Sequence, residues 1–373
     1  MKRKLKVATV FSGIGSIEFA LKRLGIDYEV CFACDNGEVE VEYDKDYHFK
    51  KIKELDTPTE KKEYVEDLYR DLTSRKNFVK QSYYANYEDN LIDDMFFNDI
   101  RLLDGSDFHD EVDLFVGGSP CQSFSTVGFQ SGLEDARGTL FYEFARLIEE
   151  IQPKVFIYEN VRGIVNHDKK NTWKIIEGVF KSLGYNVDHK ILNSKNFGIP
   201  QNRNRLFLVG TKSKEISLNN LVSKELKFTA QDFLINNNDL GSMKSSITGE
   251  ITLDNITGKI DKKYILTPKL YAYVMKGGTK SFYQKPEIDL PIARTVLKTM
   301  GNRHRAGIDN YYTHTNGKVR MLSEREAHRL MGFTDDYKIV VSRAQGYKQA
   351  GNSIVVDVFM AIMNLLIKES LFL

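Results

Sequence analysis

The sequence predicts an α/β protein organised on a Rossmann-like sheet, with a less regular part inserted before the chain returns to that sheet. Three observations carry this. The apolar run 6–11 passes into Ser12-Gly13-Ile14-Gly15-Ser16 and then into a helical pattern over 17–24, a strand, glycine turn and helix in succession. Asp35, Asp99 and Glu159 stand at the ends of later apolar runs, where open α/β sheets place their ligands. The run 112–116 ends in Gly117-Gly118-Ser119-Pro120-Cys121-Gln122-Ser123-Phe124-Ser125, which sets a cysteine between glycines and a proline in the same register.

Taken in order, the first unit offers glycines that let a ligand approach both the backbone and a helix N-terminus. The second strand, 28–34, ends at Asp35, where a carboxylate suits a ribose hydroxyl. Asp99-Ile100 follows the apolar 95–98; either acid alone could be a helix cap, but two in register with a glycine turn favour a nucleoside. Between them, 45–81 is densely charged, with Leu55, Val65, Leu68 and Leu72 at near-helical spacing, and reads as an inserted, solvated helical elaboration of the surface.

After the cysteine, 128–137 is polar with two glycines, a candidate lid, and Leu140 opens an amphipathic helix through 150. The buried strand 154–158 ends in Glu159-Asn160-Val161. Strand candidates 190–193 and 206–209 flank a segment in which Arg203 and Arg205, two apart on extended chain, face one side. From about 211 the strand–helix alternation fades, and 212–255 stays unassigned. The loops Lys276-Gly277-Gly278-Thr279-Lys280 and Gly301-Asn302-Arg303-His304-Arg305, near Tyr311 and Tyr312, suit phosphate and base-edge contacts, although solvated loops look much the same. Ser323 with Glu326 is a capping box, and 349–356 reads as a turn entering an apolar helix.

Composition narrows the class. With 373 residues, 42% apolar and 28% charged, the chain holds a sizeable core and room for two domains. The start Met1-Lys2-Arg3-Lys4 has no apolar signal region behind it, and no apolar run, 355–367 included, reads as membrane-spanning. The expectation is a soluble, cytoplasmic protein without a membrane partner. Residues 201–350 carry 25 Lys/Arg against 14 Asp/Glu, while the rest of the chain is net acidic, so one part is suited to a polyanion. Of three cysteines, Cys31 and Cys34 lie inside a strand pattern with no second ligand pair, which argues for packing and against a metal. Cys121 is left as the cysteine with a chemical setting.

These motifs resemble the bacterial DNA (cytosine-5) methyltransferases of type II restriction systems. The resemblance rests on Phe11-Ser12-Gly13-Ile14-Gly15, Pro120-Cys121-Gln122, Glu159-Asn160-Val161, Gln201-x-Arg203-x-Arg205, Arg325-Glu326-Ala327 and Gly351-Asn352-Ser353. Each is short, but their order and spacing are specific, and they cover roughly residues 1–35, 83–211 and 262–373.

The family implies a Rossmann-like S-adenosylmethionine-dependent sheet over 1–211 and 345–373, and a smaller, inserted target-recognition domain over 212–344, with duplex DNA in the cleft. It implies a cofactor site of Phe11, Gly13, Ile14, Gly15, Asp35, Asp99, Ile100, Pro120, Leu140, Asn352 and Ser353. Cys121 would add as thiolate to C6 of a flipped cytosine, Glu159 would bind its N3/N4 edge and supply a proton, Arg205 would grip O2, and Arg203 would support the thiol and its loop. Gln122, Ser125, Arg137, Lys276, Gly277, Gly278, Thr279, Thr295, Arg303 and Arg305 would face DNA. A monomer is expected, beside a cognate restriction endonuclease acting on the same site. Two departures stand out: 45–81 is longer than usual, and Asn36 replaces the bulky residue that many members set over the adenine. One branch of the family modifies tRNA with the same residues; the long region 212–320 favours a duplex-DNA reader.

Overall fold

The computed structural model describes residues 3–120, 140–235, 241–255, 260–279, 282–283, 285–300 and 306–372. Its centre is a seven-stranded sheet in the order β3-β2-β1-β4-β5-β8-β6. The strands are β1 (Leu5–Val10), β2 (Tyr28–Cys34), β3 (Phe96–Phe97), β4 (Leu114–Gly117), β5 (Val155–Val161), β6 (Asn186–Asn193) and β8 (Asn204–Thr211). β7 (Gln201–Asn202) lies outside this sheet. Strands β1 to β5 pair in parallel, while β8 runs antiparallel to both β5 and β6.

Alternation along the strands builds two cores. Val7, Leu114, Val116, Val155, Ile157, Phe207 and Val209 face one side, with α1 (Ser16–Arg23) and the C-terminal helix Val356–Lys368 packed on them. Ala8, Val10, Phe115, Phe156, Tyr158, Leu206 and Leu208 face the other, under helices Leu140–Ile151 and Asn171–Ser182. Both faces are buried, which is why these strands read as nearly continuous apolar runs.

Register decides what reaches the rim. Val10 sits opposite both Cys34 and Gly117, and Gly117 opposite Tyr158. Phe11, Asp35, Gly118 and Glu159 therefore emerge together where the strand order reverses, the crevice of a doubly wound sheet.

The 45–81 excursion is helical: α2 (Lys45–Lys53), α3 (Pro58–Leu72, started by a Thr57/Glu60 capping box) and α4 (Phe78–Tyr87). It is not the plain solvated surface that its charge suggested. Ile52, Val65 and Tyr69 form an apolar cluster with Val39 and Leu102, and the Lys61 amine is buried between Asp104 (2.8 Å) and Asp107 (2.6 Å). Leu72, counted in the apolar stripe, is exposed at the last position of α3.

The remaining part carries short elements around a separate cluster of Ile260, Tyr264, Leu266, Val274, Ala306, Tyr311 and Met321. It is stitched to the large sheet's rim by Ala293–Arg294, which pairs in parallel with β7. The Ser323/Glu326 capping box is present and starts helix Glu324–Arg329. Leu330, Met331, Phe333 and Tyr337, on the small side of the expected boundary at 344, pack into the core beside α1.

Residues 349–352 end a helix (Arg343–Asn352) where a turn was expected. Their Gly and Asn would favour a turn in isolation, but tertiary packing of Tyr347 and Ala350 keeps them helical. The stretch Arg343–Lys368 also corrects the membrane reading: by length and composition it could cross a membrane. It breaks at Ser353 into two helices, and 72% of its apolar window is buried against the sheet, so its hydropathy serves the core.

Candidate active site

The first turn is shaped by positive backbone angles at Phe11 (φ 53°), Gly13 (φ 56°) and Gly15 (φ 75°). Ser12 ties the turn to the next strand, its Oγ accepting from the Cys34 amide at 2.9 Å. Asp35 closes the other side: its carboxylate accepts from the Gly13 amide at 2.9 Å and the Gly37 amide at 2.7 Å. Burial pushes the Asp35 pKa up, and those two amides only partly offset it.

Together these groups border a cavity of about 280 Å³, whose wall includes Phe11, Gly13, Ile14, Asp35, Pro120, Glu159, Arg203, Arg205 and Asn352. A smaller recess beside it adds Ser353. Glu38, itself in a left-handed conformation, reaches across this opening to Lys348 (2.8 Å) and Lys298 (3.4 Å), and accepts from Asn352 at 3.0 Å.

At the cavity's other end, Glu159 and Arg205 face each other at 3.2 Å. They come from directly neighbouring antiparallel strands, with Glu159 opposite Phe207 and Val161 opposite Arg205. Burial raises the Glu159 pKa above the ordinary carboxylate range, and Arg205 and then Arg203 pull against it. Gly118 must be glycine here, since a Cβ would lie 2.7 Å from the Glu159 carbonyl.

Beneath this rim, Tyr158 helps hold Ser119. Its hydroxyl is 2.7 Å from Ser119 Oγ and accepts from Asn160 Nδ2 at 2.8 Å, while the same Nδ2 donates to the Ser119 carbonyl at 3.0 Å. Nothing in the sequence marks Tyr158, which looks like any aromatic residue of a buried strand.

Arg203 behaves differently from Arg205. Its guanidinium is buried and donates to the carbonyls of Val296 (2.9 Å), Gly351 (3.0 Å) and Ser353 (2.8 Å). Burial, reinforced by Arg205, pushes its pKa down to about 9. Among the described residues it clamps the small part and the C-terminal helices to the sheet's rim. Gln201 assists, donating to the Leu330 carbonyl at 2.6 Å and accepting from the Val296 amide at 2.8 Å.

Several expected residues stand apart from the cavity. Gly15 packs under Tyr87, whose ring would lie 2.1 Å from any Cβ there. Asp99 is held by Tyr43, Tyr69 and Arg101, and Ile100 and Leu140 join the apolar cluster under the sheet. Thr295 donates to the Asn202 carbonyl at 2.7 Å, bracing the junction of the two parts. Lys276 is exposed after helix Pro268–Val274, Gly277 follows it, and Gly278–Thr279 pair with Phe282–Tyr283. Cys121, Gln122, Ser125, Arg137, Arg303, Arg305 and the 128–137 segment lie outside the described residues. Cys31 and Cys34 are buried free thiols; burial pushes Cys31 up to about 12 and Cys34 well up, so both stay protonated as packing groups. No group of three or more His, Cys, Asp or Glu suited to a metal occurs among the described residues.

The strand order and the rim site define a doubly wound methyltransferase fold, and a solved Dnmt2 methyltransferase of S. pombe shares it, with a TM-score of 0.68 at 18% identity over 99% of both chains. Residues 5–368 match the model of the C-5 cytosine-specific DNA methylases. The type II methyltransferase M.SsoII of Shigella sonnei is 33% identical over 76% of this chain and 70% of its own length. The orphan methyltransferase M.Rho11sI of Bacillus phage rho11s is 30% identical over 90% of this chain, which spans 61% of that relative's length. The chain belongs to the C-5 cytosine-specific DNA methylase family: it is a DNA (cytosine-5) methyltransferase.

Proposed function

We propose that this enzyme methylates C5 of a flipped-out cytosine in a short duplex-DNA sequence, with Cys121 as nucleophile. The observation that carries this is the Glu159–Arg205 pair, set at 3.2 Å on the cavity wall beside Pro120, the residue to which Cys121 is bonded.

The cavity fits S-adenosylmethionine: positive-φ residues expose the turn's backbone, and the partly buried Asp35 carboxylate stands at the strand end that receives ribose hydroxyls. Phe11, Gly13, Ile14, Asp35 and Asn352 would hold it, and when bound it supplies an electrophilic sulfonium methyl. Asp99, Ile100, Gly15 and Leu140 line neither this cavity nor the recess beside it.

Cytosine C5 is a weak nucleophile until a thiolate adds to C6. In this reading the Cys121 sulfur forms the bond to C6, and the displaced π electrons move toward C5 and N3. Glu159, whose raised pKa favours the protonated form, donates its proton at N3, and the Arg205 guanidinium binds O2. As C5 gains its methyl, the N3 proton returns to the Glu159 carboxylate; the C5 proton then passes to a base and the electron pair left behind expels the Cys121 sulfur as thiolate. Extruding the base from the stack costs a few kcal/mol, which groove contacts repay. Lys276, Gly277, Gly278, Thr279, Arg303, Arg305, Gln122, Ser125 and Arg137 are the residues this reading assigns to DNA contact. The type II relative is in keeping with a role in protecting DNA from a restriction endonuclease; a soluble, cytoplasmic monomer is part of the same proposal.

Bisulfite sequencing of DNA from cells expressing the protein, beside Cys121→Ala, tests the proposal. Protected cytosines within one short motif, absent with Cys121→Ala, are expected. Methylation of tRNA in place of DNA, or full activity of the alanine variant, would overturn it.

A further inference from the structure

In this chain the Asp99 carboxylate has no acceptor capacity left for a ligand. Oδ2 accepts from the hydroxyls of Tyr43 (2.6 Å) and Tyr69 (2.7 Å) and from Arg101 Nη2 (2.7 Å), while Oδ1 accepts from the Arg101 amide and Nε, each at 3.0 Å. A carboxylate offers about four lone-pair sites, so these donors saturate it. It is 4% exposed and does not line the cavity. Burial works to raise its pKa, but Arg101 and then the two phenols outweigh burial and hold the carboxyl below its usual range. The Arg101 guanidinium also stacks over the Tyr43 ring at 4.9 Å.

Both tyrosines belong to the excursion between Asp35 and Asp99, one just before α2 and one within α3. The far end of that excursion returns to the cavity. Asn77, which caps α4, donates to the Asp35 carbonyl at 2.7 Å and packs so closely on Gly37 that a Cβ there would meet Asn77 Oδ1 at 2.2 Å. Two residues on, Val79 lines the cavity itself, on the side where Asn36 offers no bulky apolar surface.

We infer that Asp99 is a positioning residue that docks the inserted helices, and that the docked insertion completes the cofactor pocket through Asn77 and Val79. The inference deepens the reading of this cavity as the S-adenosylmethionine site and rests on it. Asp99 then acts on the cofactor through Tyr43, Tyr69 and the helices, without touching it.

Tyr43→Phe/Tyr69→Phe, Asp99→Asn, Val79→Ala and Asp35→Ala variants of the full chain separate the alternatives. S-adenosylhomocysteine affinity is measured by calorimetry, the KM for S-adenosylmethionine and kcat by methyl transfer, and amide hydrogen exchange over 43–87 by mass spectrometry. The double tyrosine variant and Asp99→Asn are expected to weaken S-adenosylhomocysteine to a similar extent, about tenfold, a factor equivalent to ~1.4 kcal/mol. Both should raise KM with kcat kept, and speed exchange across α2 and α3. Val79→Ala should weaken binding without changing exchange. If Asp99→Asn weakens binding while the tyrosine pair does not, Asp99 contacts the ligand directly and the inference fails. It fails equally if neither variant alters affinity. Wild-type affinity in Asp35→Ala would instead refute the assignment of the cavity.

Discussion

Gly351→Ala tests how the two parts of the enzyme are joined. Gly351 crosses the small part's backbone so closely that an added Cβ would lie 2.1 Å from the Lys298 nitrogen and 2.4 Å from the Leu297 carbonyl carbon. Those neighbours are backbone atoms and cannot rotate away, so the segments must part by about an ångström to reach normal contact. The Arg203 clamp spans the same gap, from Gly351 and Ser353 on one side to Val296 on the other, with bonds of 2.8 to 3.0 Å. An ångström more takes at least one beyond bonding range. Overpacking costs about 1–3 kcal/mol and a lost bond to a charged group about 1.5–3 kcal/mol. The substitution should therefore remove about 3–5 kcal/mol, a large share of the ~5–15 kcal/mol that holds a typical domain. Urea unfolding followed by circular dichroism reads this as a lower midpoint, and methyl transfer should fall with it because Asn352 and Ser353 line the cavity and its recess. A loss below about 1 kcal/mol at unchanged slope would show that the junction yields and that Arg203 does not clamp it.

Two further expectations concern the chemistry. Tyr158→Phe deletes the hydroxyl that joins Ser119 to Asn160 and should cost about 1–3 kcal/mol of loop positioning. Single-turnover methyl transfer should slow about tenfold or more while S-adenosylhomocysteine affinity holds; a wild-type rate would remove Tyr158 from the mechanism. For Glu159, burial raises the folded pKa above the unfolded one, so its proton-linked stabilisation is complete below the ordinary carboxylate pKa and is lost as pH rises through the raised value. Activity that needs the protonated form should decline over the same rise. Arg205→Met removes a charge that pulls this pKa down; it should slow turnover yet shift the descending limb of the pH–rate profile to higher pH. A limb that stays put, or moves down, would mean another group supplies the proton.

The relation of sequence to structure differs from one element to the next. The strand over Tyr28–Cys34 was legible to the residue, because a nearly continuous apolar run and its bounding polar residues lie within one short window. The Ser323 capping box was legible for the same reason. The charged excursion was legible as helix but not as a structural partner. Lys61 and Lys62 look solvated in any local reading, and only their pairing with Asp104, Asp107 and Asp94 lets them be buried. The 349–352 segment misled because Gly and Asn favour turns locally, while packing on both sides kept it helical.

What the sequence determined by itself was the first turn's conformation, the buried strands, the order of the motifs, and hence the family and its chemistry. These depend on backbone angles and side-chain periods of a few consecutive residues. Tertiary structure alone decided which charged groups meet: Arg205 faces Glu159, Arg203 clamps three carbonyls, and Asp99 is taken up by Tyr43, Tyr69 and Arg101. A buried charge takes whatever donors or acceptors the closed chain brings within about 3 Å, and chain closure joins residues that no local pattern relates.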